Sequence, residues 1–263
     1  MKLTFIGGGT MAEALVRRLI EGDVVKPGQV NIVDPSDARR ELLQLNYGVA
    51  TYCEPIGCVA DAEIVVLAVK PQDVGKVAKQ VGKLGEEQVL LSILAGVKLD
   101  KLSSEFGHEA IIRAMPNTPA QVGQGMTVWT ATAGVAQSRI EQARAILSAL
   151  GEELYVPDEK YVDMATALSG SGPAYVFLFV EALIDAAVGI GMPRAMAEKL
   201  AVQTVLGSTD YLRQSGKHPA VLRNMVTSPG GTTAAALHEL EKGSLRNLVA
   251  EAVAAAYAKT KVL

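Results

Sequence analysis

Two glycine-rich turns carry the binding chemistry that this chain's residues allow. In the first, Gly7-Gly8-Gly9-Thr10-Met11-Ala12, the residues Gly7, Gly9 and Ala12 fill a G-x-G-x-x-A pattern. The first glycine permits a tight turn, the second lets a pyrophosphate approach the backbone, and the alanine keeps helix and strand close. Thr10 and Met11 then open a helix whose unpaired N–H groups and partial positive charge face the phosphates. In the second turn, Ser228-Pro229-Gly230-Gly231-Thr232-Thr233, two glycines let the backbone curl just before a helix begins. Several N–H groups then converge on one point and form a nest suited to a carboxylate. Each charge-assisted hydrogen bond is worth roughly 1.5–3 kcal/mol, so two or three hold a small acid without an arginine. The plainer reading of those residues is an ordinary helix start.

Side chains for acid–base or nucleophilic catalysis are scarce. His108, His218 and His238 stand in separate contexts without a triad partner and read as surface or structural histidines. Glu181 and Asp185 share one helix face, a spacing that more often marks a solvated stripe or a dimer contact than a paired acid and base. Cys53 and Cys58 have no further Cys and no nearby His to complete a metal site, so no metal is expected and both read as reduced thiols. A hydride transfer that needs no strong base fits this inventory. Reduction of a cyclic imine is one, because a protonated C=N is already electrophilic and needs only positioning beside a nicotinamide.

The elements that must position these turns alternate along the first part of the chain. The apolar run from Leu3 to Ile6 leads into the glycine turn, and Met11, Leu15 and Leu19 then share a helix face beside Ala12, Val16 and Ile20. Strands are expected at Val30–Val33, Ile64–Val69, Val89–Leu94, Ala110–Met115, Gly125–Trp129 and Leu154–Val156. Helices are expected between them at Asp37–Leu45, Val74–Val81, Leu99–Phe106 and Ile140–Leu150. Such alternation means a mostly parallel sheet covered on both faces, with ligands at the carboxyl ends of its strands. At Val156-Pro157-Asp158 the character changes, and only alanine- and leucine-rich helical patterns follow: Tyr161–Leu168, Ala174–Ile190, Arg194–Gln214, Ala220–Met225, Thr233–Lys242 and Leu245–Lys259. The fold class is therefore α/β, with a dinucleotide-binding Rossmann domain over residues 1–157 followed by an all-α domain over 158–263. Stretches such as Tyr175-Val176-Phe177-Leu178-Phe179-Val180 are apolar on more than one face, and about a hundred residues cannot bury so much alone. A homodimer with shared helices is expected.

Composition narrows the partners. Of 263 residues 49% are hydrophobic but only 5% aromatic, so the core is built of Val, Leu, Ile and Ala. The 25 basic and 28 acidic residues are dispersed, which leaves no basic block for a nucleic-acid backbone. A strand beginning at residue 3 leaves no room for a signal peptide, and Glu181 and Asp185 interrupt the most apolar stretch, so neither export nor a membrane span is expected and a cytoplasmic protein is.

Two strand-end loops lie where a dinucleotide would run: Ala68-Val69-Lys70-Pro71 and Met115-Pro116-Asn117. Proline-locked loops there can hold backbone carbonyls and an Asn amide against a nicotinamide ring. Asp34, about twenty residues beyond the helix start, has the spacing of the carboxylate that holds the ribose 2′-OH of NAD. A 2′-phosphate about 4 Å from it would cost on the order of 4 kcal/mol per unit charge at an effective dielectric of 20. The opposite reading has Pro35 turning Asp34 aside while Ser36, Arg39 and Arg40 meet the 2′-phosphate of NADP. The segment supports use of both cofactors.

With Gly7–Ala12, Ala68–Pro71, Met115–Pro119, Ser169–Tyr175 and Thr227–Thr233 in order over its whole length, the chain resembles the pyrroline-5-carboxylate reductase family. The segments S-G-S-G-P-A-Y and V-T-S-P-G-G-T-T are its most specific carriers. The resemblance implies NAD(P)H-dependent reduction of the cyclic imino acid 1-pyrroline-5-carboxylate to L-proline, the last step of proline biosynthesis. It implies a C-terminal dimerisation domain and a homodimer, with or without assembly into higher oligomers. On this sequence Gly231, Thr232 and Thr233, with Gly230 and Ser228 in the same turn, would bind the substrate carboxylate, and the Thr233 hydroxyl would hydrogen-bond the ring nitrogen. Met115, Pro116 and Asn117 would lie near the nicotinamide and Ala68–Pro71 beside the adenosine and phosphate path. Lys217 and Asn224 stand where acidic residues are common in that family. One competing reading is a related imine reductase or a hydroxyacid dehydrogenase. The latter is disfavoured because the helix opening with Pro173-Ala174-Tyr175-Val176 carries no lysine for alcohol oxidation. The other is a dinucleotide-sensing binding protein, against which the intact Gly-Gly-Thr-Thr segment speaks.

Overall fold

In the computed structural model, which describes residues 1–261, the chain divides by its contacts into two compact units. One comprises Met1–Ser171 with the described residues from Ala256 onward, the other Gly172–Ala255.

The first unit is a sheet sandwiched by helices. Its elements run β1 (Leu3–Ile6), α1 (Thr10–Glu21), β2 (Val30–Val33), α2 (Asp37–Tyr47), β3 (Ala50–Tyr52), β4 (Ile64–Leu67), α3 (Val74–Val81), β5 (Val89–Ser92), α4 (Leu99–Phe106), β6 (Ile111–Met115), β7 (Gly125–Ala131), α5 (Gln137–Ser148), β8 (Gly151–Tyr155) and α6 (Lys160–Ala165). Among the described residues the sheet has eight strands in the order β3-β2-β1-β4-β5-β6-β7-β8. Leu3 of β1 pairs with Val30 on one side and Ile64 on the other, so the chain reverses direction of growth across β1. That topological switch opens a crevice at the strands' carboxyl ends. β1, β4 and β5 are buried at every position, as parallel strands covered on both faces must be. Only β7 runs antiparallel to its neighbour β6. The short link between them holds one 3₁₀ turn, Thr118–Val122, and no crossover helix, so the chain can only fold back. One face of the sheet buries Leu3, Phe5, Ile32, Val66 and Leu91 against Leu15 and Leu19 of α1, and the other buries Val65, Leu67 and Leu90 against Val77 of α3 and Leu102 of α4.

β3 has no counterpart in the sequence reading. It is a three-residue edge strand with exposed ends, too short for a burial period to show. A second difference lies at Leu168–Pro173, where glycine and proline signal a break. The chain instead continues helically through a π turn, Thr166–Gly170, with the Ser171 N–H donating to the Thr166 carbonyl at 2.8 Å. The widened turn absorbs the Gly-Ser-Gly-Pro run that an α-helix would not.

The second unit is helical: α7 (Gly172–Gly189), α8 (Arg194–Ser215), α9 (Pro219–Met225), α10 (Thr232–Lys242) and the body of α11 (Leu245–Thr260). α7 and α8 pack against each other. Within it only Ala197 and Ala201 are buried, while Phe177, Leu178, Phe179, Leu200, Leu206 and Leu248 stand exposed. By length and composition alone, the helical run Lys160–Gly189 could cross a membrane.

Candidate functional site

The glycine turn sits at the end of β1, and its three glycines serve different ends. Gly7 has φ of +101°, and a Cβ there would lie 2.5 Å from the Ala68 carbonyl oxygen, where the end of β4 passes. At Gly8 a Cβ would meet Leu43 Cδ1 of α2 at 2.8 Å. Around Gly9 nothing lies within 4 Å of where a Cβ would stand. The first two glycines therefore satisfy internal packing and the third keeps space open in front of the α1 N-terminus. A pyrophosphate fits that arrangement: the Gly9 carbonyl accepts the first helical bond from Glu13 N at 2.9 Å, and the N–H groups of the first turn point outward. Ala12, buried behind them, permits the close helix–strand approach.

Charged side chains brace the turn from α2 and β2. Asp34 Oδ2 accepts the Gly8 N–H at 2.8 Å and Oδ1 accepts the Ser36 N–H at 2.9 Å. Arg39 donates to the Gly8 carbonyl, to the Gly9 carbonyl at 3.3 Å and to Glu13. Burial pushes the Glu13 carboxyl up, but Arg39, Tyr47 and Arg17 together more than reverse it, so Glu13 titrates below the ordinary range. The Tyr47 hydroxyl, which donates to Glu13 at 2.9 Å, is raised by its burial and by that carboxylate. Sequence reading had not singled out Gly8 or this use of Arg39.

A cleft of about 490 Å³ opens beside the turn, lined by Gly7, Gly9, Asp34, Ala68, Val69 and Lys70 among others. Cys53 and Lys76 also line it. A larger hollow of about 630 Å³ lies at the opposite ends of the strands, around Glu63, Lys83, Glu87 and Arg139. Parallel sheets bind ligands at the carboxyl edge, and Glu63 and Arg139 already pair there, so the cleft at the glycine turn is the candidate site.

The Met115-Pro116-Asn117 loop leaves β6. Met115 is half-buried, and a Cβ on Gly170 would come within 2.9 Å of its Cε. Pro116 and Asn117 are buried. The Asn117 amide oxygen accepts the Met126 N–H at 2.9 Å, and its amide nitrogen donates to the Ser169 carbonyl at 3.0 Å. That carbonyl needs a donor because residue 173, four further on, is a proline without an N–H. Two residues before the loop, Arg113 is 1% exposed and pairs with Glu159 and Asp163, each at 2.6 Å. Glu159 also accepts the Leu99 N–H at 2.8 Å. An arginine inside the apolar strand Ile111-Ile112-Arg113-Ala114-Met115 was the signal for this cluster, and it holds the base of the loop.

In the second unit, Gly230 has φ of +69° and turns the chain into α10. The Gly231 N–H closes a turn on the Ser228 carbonyl at 3.1 Å, and a Cβ on Gly231 would strike Ser228 Oγ at 2.5 Å. Gly231 is the N-cap of α10 without a side-chain cap, so the N–H groups of Thr232 and Thr233 open the helix with no carbonyl of its own to meet. Of the nest's expected donors, Gly231 is committed to the turn and the two threonines are presented.

The histidines lie elsewhere. His108 is buried with Nε2 2.8 Å from the Gln88 carbonyl oxygen, and His218 Nδ1 accepts the Ala220 N–H at 3.2 Å. Cys53 is exposed and Cys58 buried, both free thiols. Among the described residues no group of three or more His, Cys, Asp or Glu could hold a metal ion.

Comparison with known proteins places these features in a family. A family model described as pyrroline-5-carboxylate reductase dimerisation matches residues 159–263, and one described as NADP oxidoreductase, coenzyme F420-dependent, matches 2–96. The chain is 44% identical to the pyrroline-5-carboxylate reductase of Synechocystis over 263 residues, covering 100% of this chain and 98% of the relative. It is 41% identical to that of Arabidopsis thaliana, covering 100% and 95%. The structure of Plasmodium falciparum pyrroline carboxylate reductase with NADP bound superposes with a TM-score of 0.91 at 33% identity, over 100% of this chain and 97% of that one.

Proposed function

The chain belongs to the pyrroline-5-carboxylate reductase family, and we infer that its two glycine-rich turns hold, respectively, the dinucleotide and the imino acid of that reaction. It is an NAD(P)H-dependent oxidoreductase that reduces 1-pyrroline-5-carboxylate to L-proline in proline biosynthesis. When bound, the reduced nicotinamide supplies a hydride to the imine carbon. The chain's own residues do the positioning. Gly9 and the α1 N-terminus, Thr10 and Met11, receive the pyrophosphate, while Ala68, Val69, Lys70 and Pro71 flank its path. Met115 and Pro116 face the nicotinamide, and Asn117 fixes that loop by bracing both of its sides. The N–H groups of Thr232 and Thr233 hold the substrate carboxylate in the turn shaped by Ser228, Gly230 and Gly231. The Thr233 hydroxyl bonds the ring nitrogen and keeps the C=N in register.

The observation that carries the reading is the Gly230–Thr233 helix start, which has glycine geometry, presented N–H groups and no side-chain cap. Mixing the purified protein with pyrroline-5-carboxylate and NADH or NADPH should consume nicotinamide absorbance. Cofactor binding without imine-dependent oxidation would move the assignment to another imine or to a dinucleotide sensor.

Residues 158–263 are assigned as the dimerisation and substrate-binding domain and 1–157 as the dinucleotide domain. The exposed apolar residues of α7 and α8 support a homodimer in which a second copy covers them, in place of a bilayer around Lys160–Gly189. Glu181 and Asp185 interrupt that run, and Asp185 pairs with Arg194 at 2.7 Å. A homodimer, with or without further assembly, is the arrangement these features support, and a cytoplasmic location is proposed from the biosynthetic role of its relatives.

A further inference from the structure

The end of β2 decides which nicotinamide dinucleotide this chain prefers, and we propose that it is NADH, with Asp34 as the specificity-determining residue. The proposal rests on the dinucleotide-dependent reading of the same cleft. Two arrangements were open in the sequence. In one Asp34 faces the ribose; in the other Pro35 turns it aside and Ser36, Arg39 and Arg40 grip a 2′-phosphate.

The structure gives all four residues a place. Asp34 is held toward the glycine turn, with Oδ2 on the Gly8 N–H and Oδ1 on the Ser36 N–H, and it lines the cleft. A carboxylate offers about four lone-pair sites, so two remain for a ribose diol. The Ser36 hydroxyl caps α2 by accepting the Arg39 N–H at 3.4 Å. The Arg39 guanidinium is held against the glycine turn by the Gly8 and Gly9 carbonyls and by Glu13. Arg40 donates to the Asp34 carbonyl at 2.6 Å and to Asp37. Ser36, Arg39 and Arg40 are thus each held by bonds of this kind, several of which brace the glycine turn itself, and none of the three lines the cleft that Asp34 lines.

The remaining charges of the cleft do not restore a phosphate site at β2. Lys70 follows β4 and Lys76 lies on α3, so both enter from the far side of β1, because β2 and β4 flank β1 on opposite sides. Asp73, on that same side, adds a negative charge. A ribose 2′-OH finds an acceptor at Asp34, and a 2′-phosphate finds a fixed like charge. The Plasmodium falciparum relative was solved with NADP bound, which makes NADP⁺ the ligand to compare with NAD⁺.

The test is calorimetric titration of the full-length protein with NAD⁺ and with NADP⁺, read as two dissociation constants and needing no turnover. NAD⁺ is expected to bind about tenfold or more tightly than NADP⁺. The Asp34→Ser variant should narrow that ratio about fivefold or more, chiefly through tighter NADP⁺ binding. Should the variant fold poorly, the wild-type ratio should still narrow as salt is raised from about 0.05 to 0.5 M, because screening weakens like-charge repulsion. Equal binding of the two, or tighter NADP⁺, overturns the preference and leaves the reductase reading intact. Binding of neither overturns the dinucleotide reading and the preference together.

Discussion

The two glycine-rich turns look alike in sequence and are supported in opposite ways. The Gly7–Gly9 turn is clamped by its own unit: Ala68 closes on Gly7, Leu43 on Gly8, and Asp34 and Arg39 bond its backbone from two sides. The Gly230–Thr233 turn is held only by neighbouring backbone, with the Gly231 N–H on the Ser228 carbonyl and the Ala235 N–H on the Gly231 carbonyl, and Ser228 itself is exposed. Their surroundings differ in the same sense. The first unit has a dense core, whereas α7, α9 and α10 bury no residue in the single chain. On the proposed reading, the dinucleotide side is preformed by local packing, and the substrate side rests on helices whose exposed apolar faces a second copy would cover.

The most damaging way to probe that contrast is to spoil the exposed apolar face. Phe177, 65% exposed on α7, should become an assembly-breaking charge in Phe177→Asp. Light scattering is expected to show the monomer's mass and the reductase assay no turnover, while NAD⁺ binding stays within about twofold of wild type. If the variant remained a dimer with full activity, the helical unit would be self-sufficient and the contrast would fail.

Within the first turn the glycines separate packing from ligand. Gly7→Ala forces a side chain into a positive-φ residue against the Ala68 carbonyl, and should cost about 3 kcal/mol of stability by urea denaturation. Gly9→Ala projects a methyl into open space. It should change stability by less than about 1 kcal/mol yet weaken NAD⁺ about tenfold or more. Loss of stability without loss of affinity in Gly9→Ala would mean that the dinucleotide does not approach there.

The second turn is tested where its chemistry is assigned. Removing the hydroxyl in Thr233→Val should lower kcat about 10- to 100-fold, the worth of one hydrogen bond to a charged group, with dinucleotide affinity unchanged. Unaltered turnover would take Thr233 out of the reaction.

How far the sequence foretold this depended on whether a feature was local. β1, the glycine turn and α1 were legible because strand, turn and helix periods change within a few residues. β3 was not, since its three residues show no period and it forms only by pairing with β2. The continuous helix through Gly170 and Pro173 was misread as a break, because a π turn is invisible to residue propensity. Asn117 was noticed for its amide, but only the fold shows that the amide is engaged on both sides, partly by a carbonyl that Pro173 leaves without a helical donor. The Arg113–Glu159–Asp163 cluster joins residues more than forty apart in sequence, and nothing but the odd charge in an apolar strand hinted at it.

The smallest expected effect concerns how each unit responds to acid. Glu63, just before β4, binds Arg139 on α5, the Lys2 N–H at 2.9 Å and Gln142 at 3.2 Å. The Arg139 guanidinium holds its carboxyl at about 2, far below the unfolded range near 4.3. A depressed carboxylate contributes stability that is fully present above the unfolded value and is lost as pH falls from about 4.5 toward 2. The carboxylates of the helical unit sit in exposed pairs such as Glu241 with Arg246 and Asp185 with Arg194, which solvent screens. Acid should therefore cost the first unit more through Glu63 than the helical unit loses through those surface pairs. Wild type and Glu63→Gln compared by urea midpoint at pH 6, 4 and 3 should differ most at pH 6 and converge as pH falls. A difference that stays constant with pH would mean that Glu63 acts through packing and not through its charge.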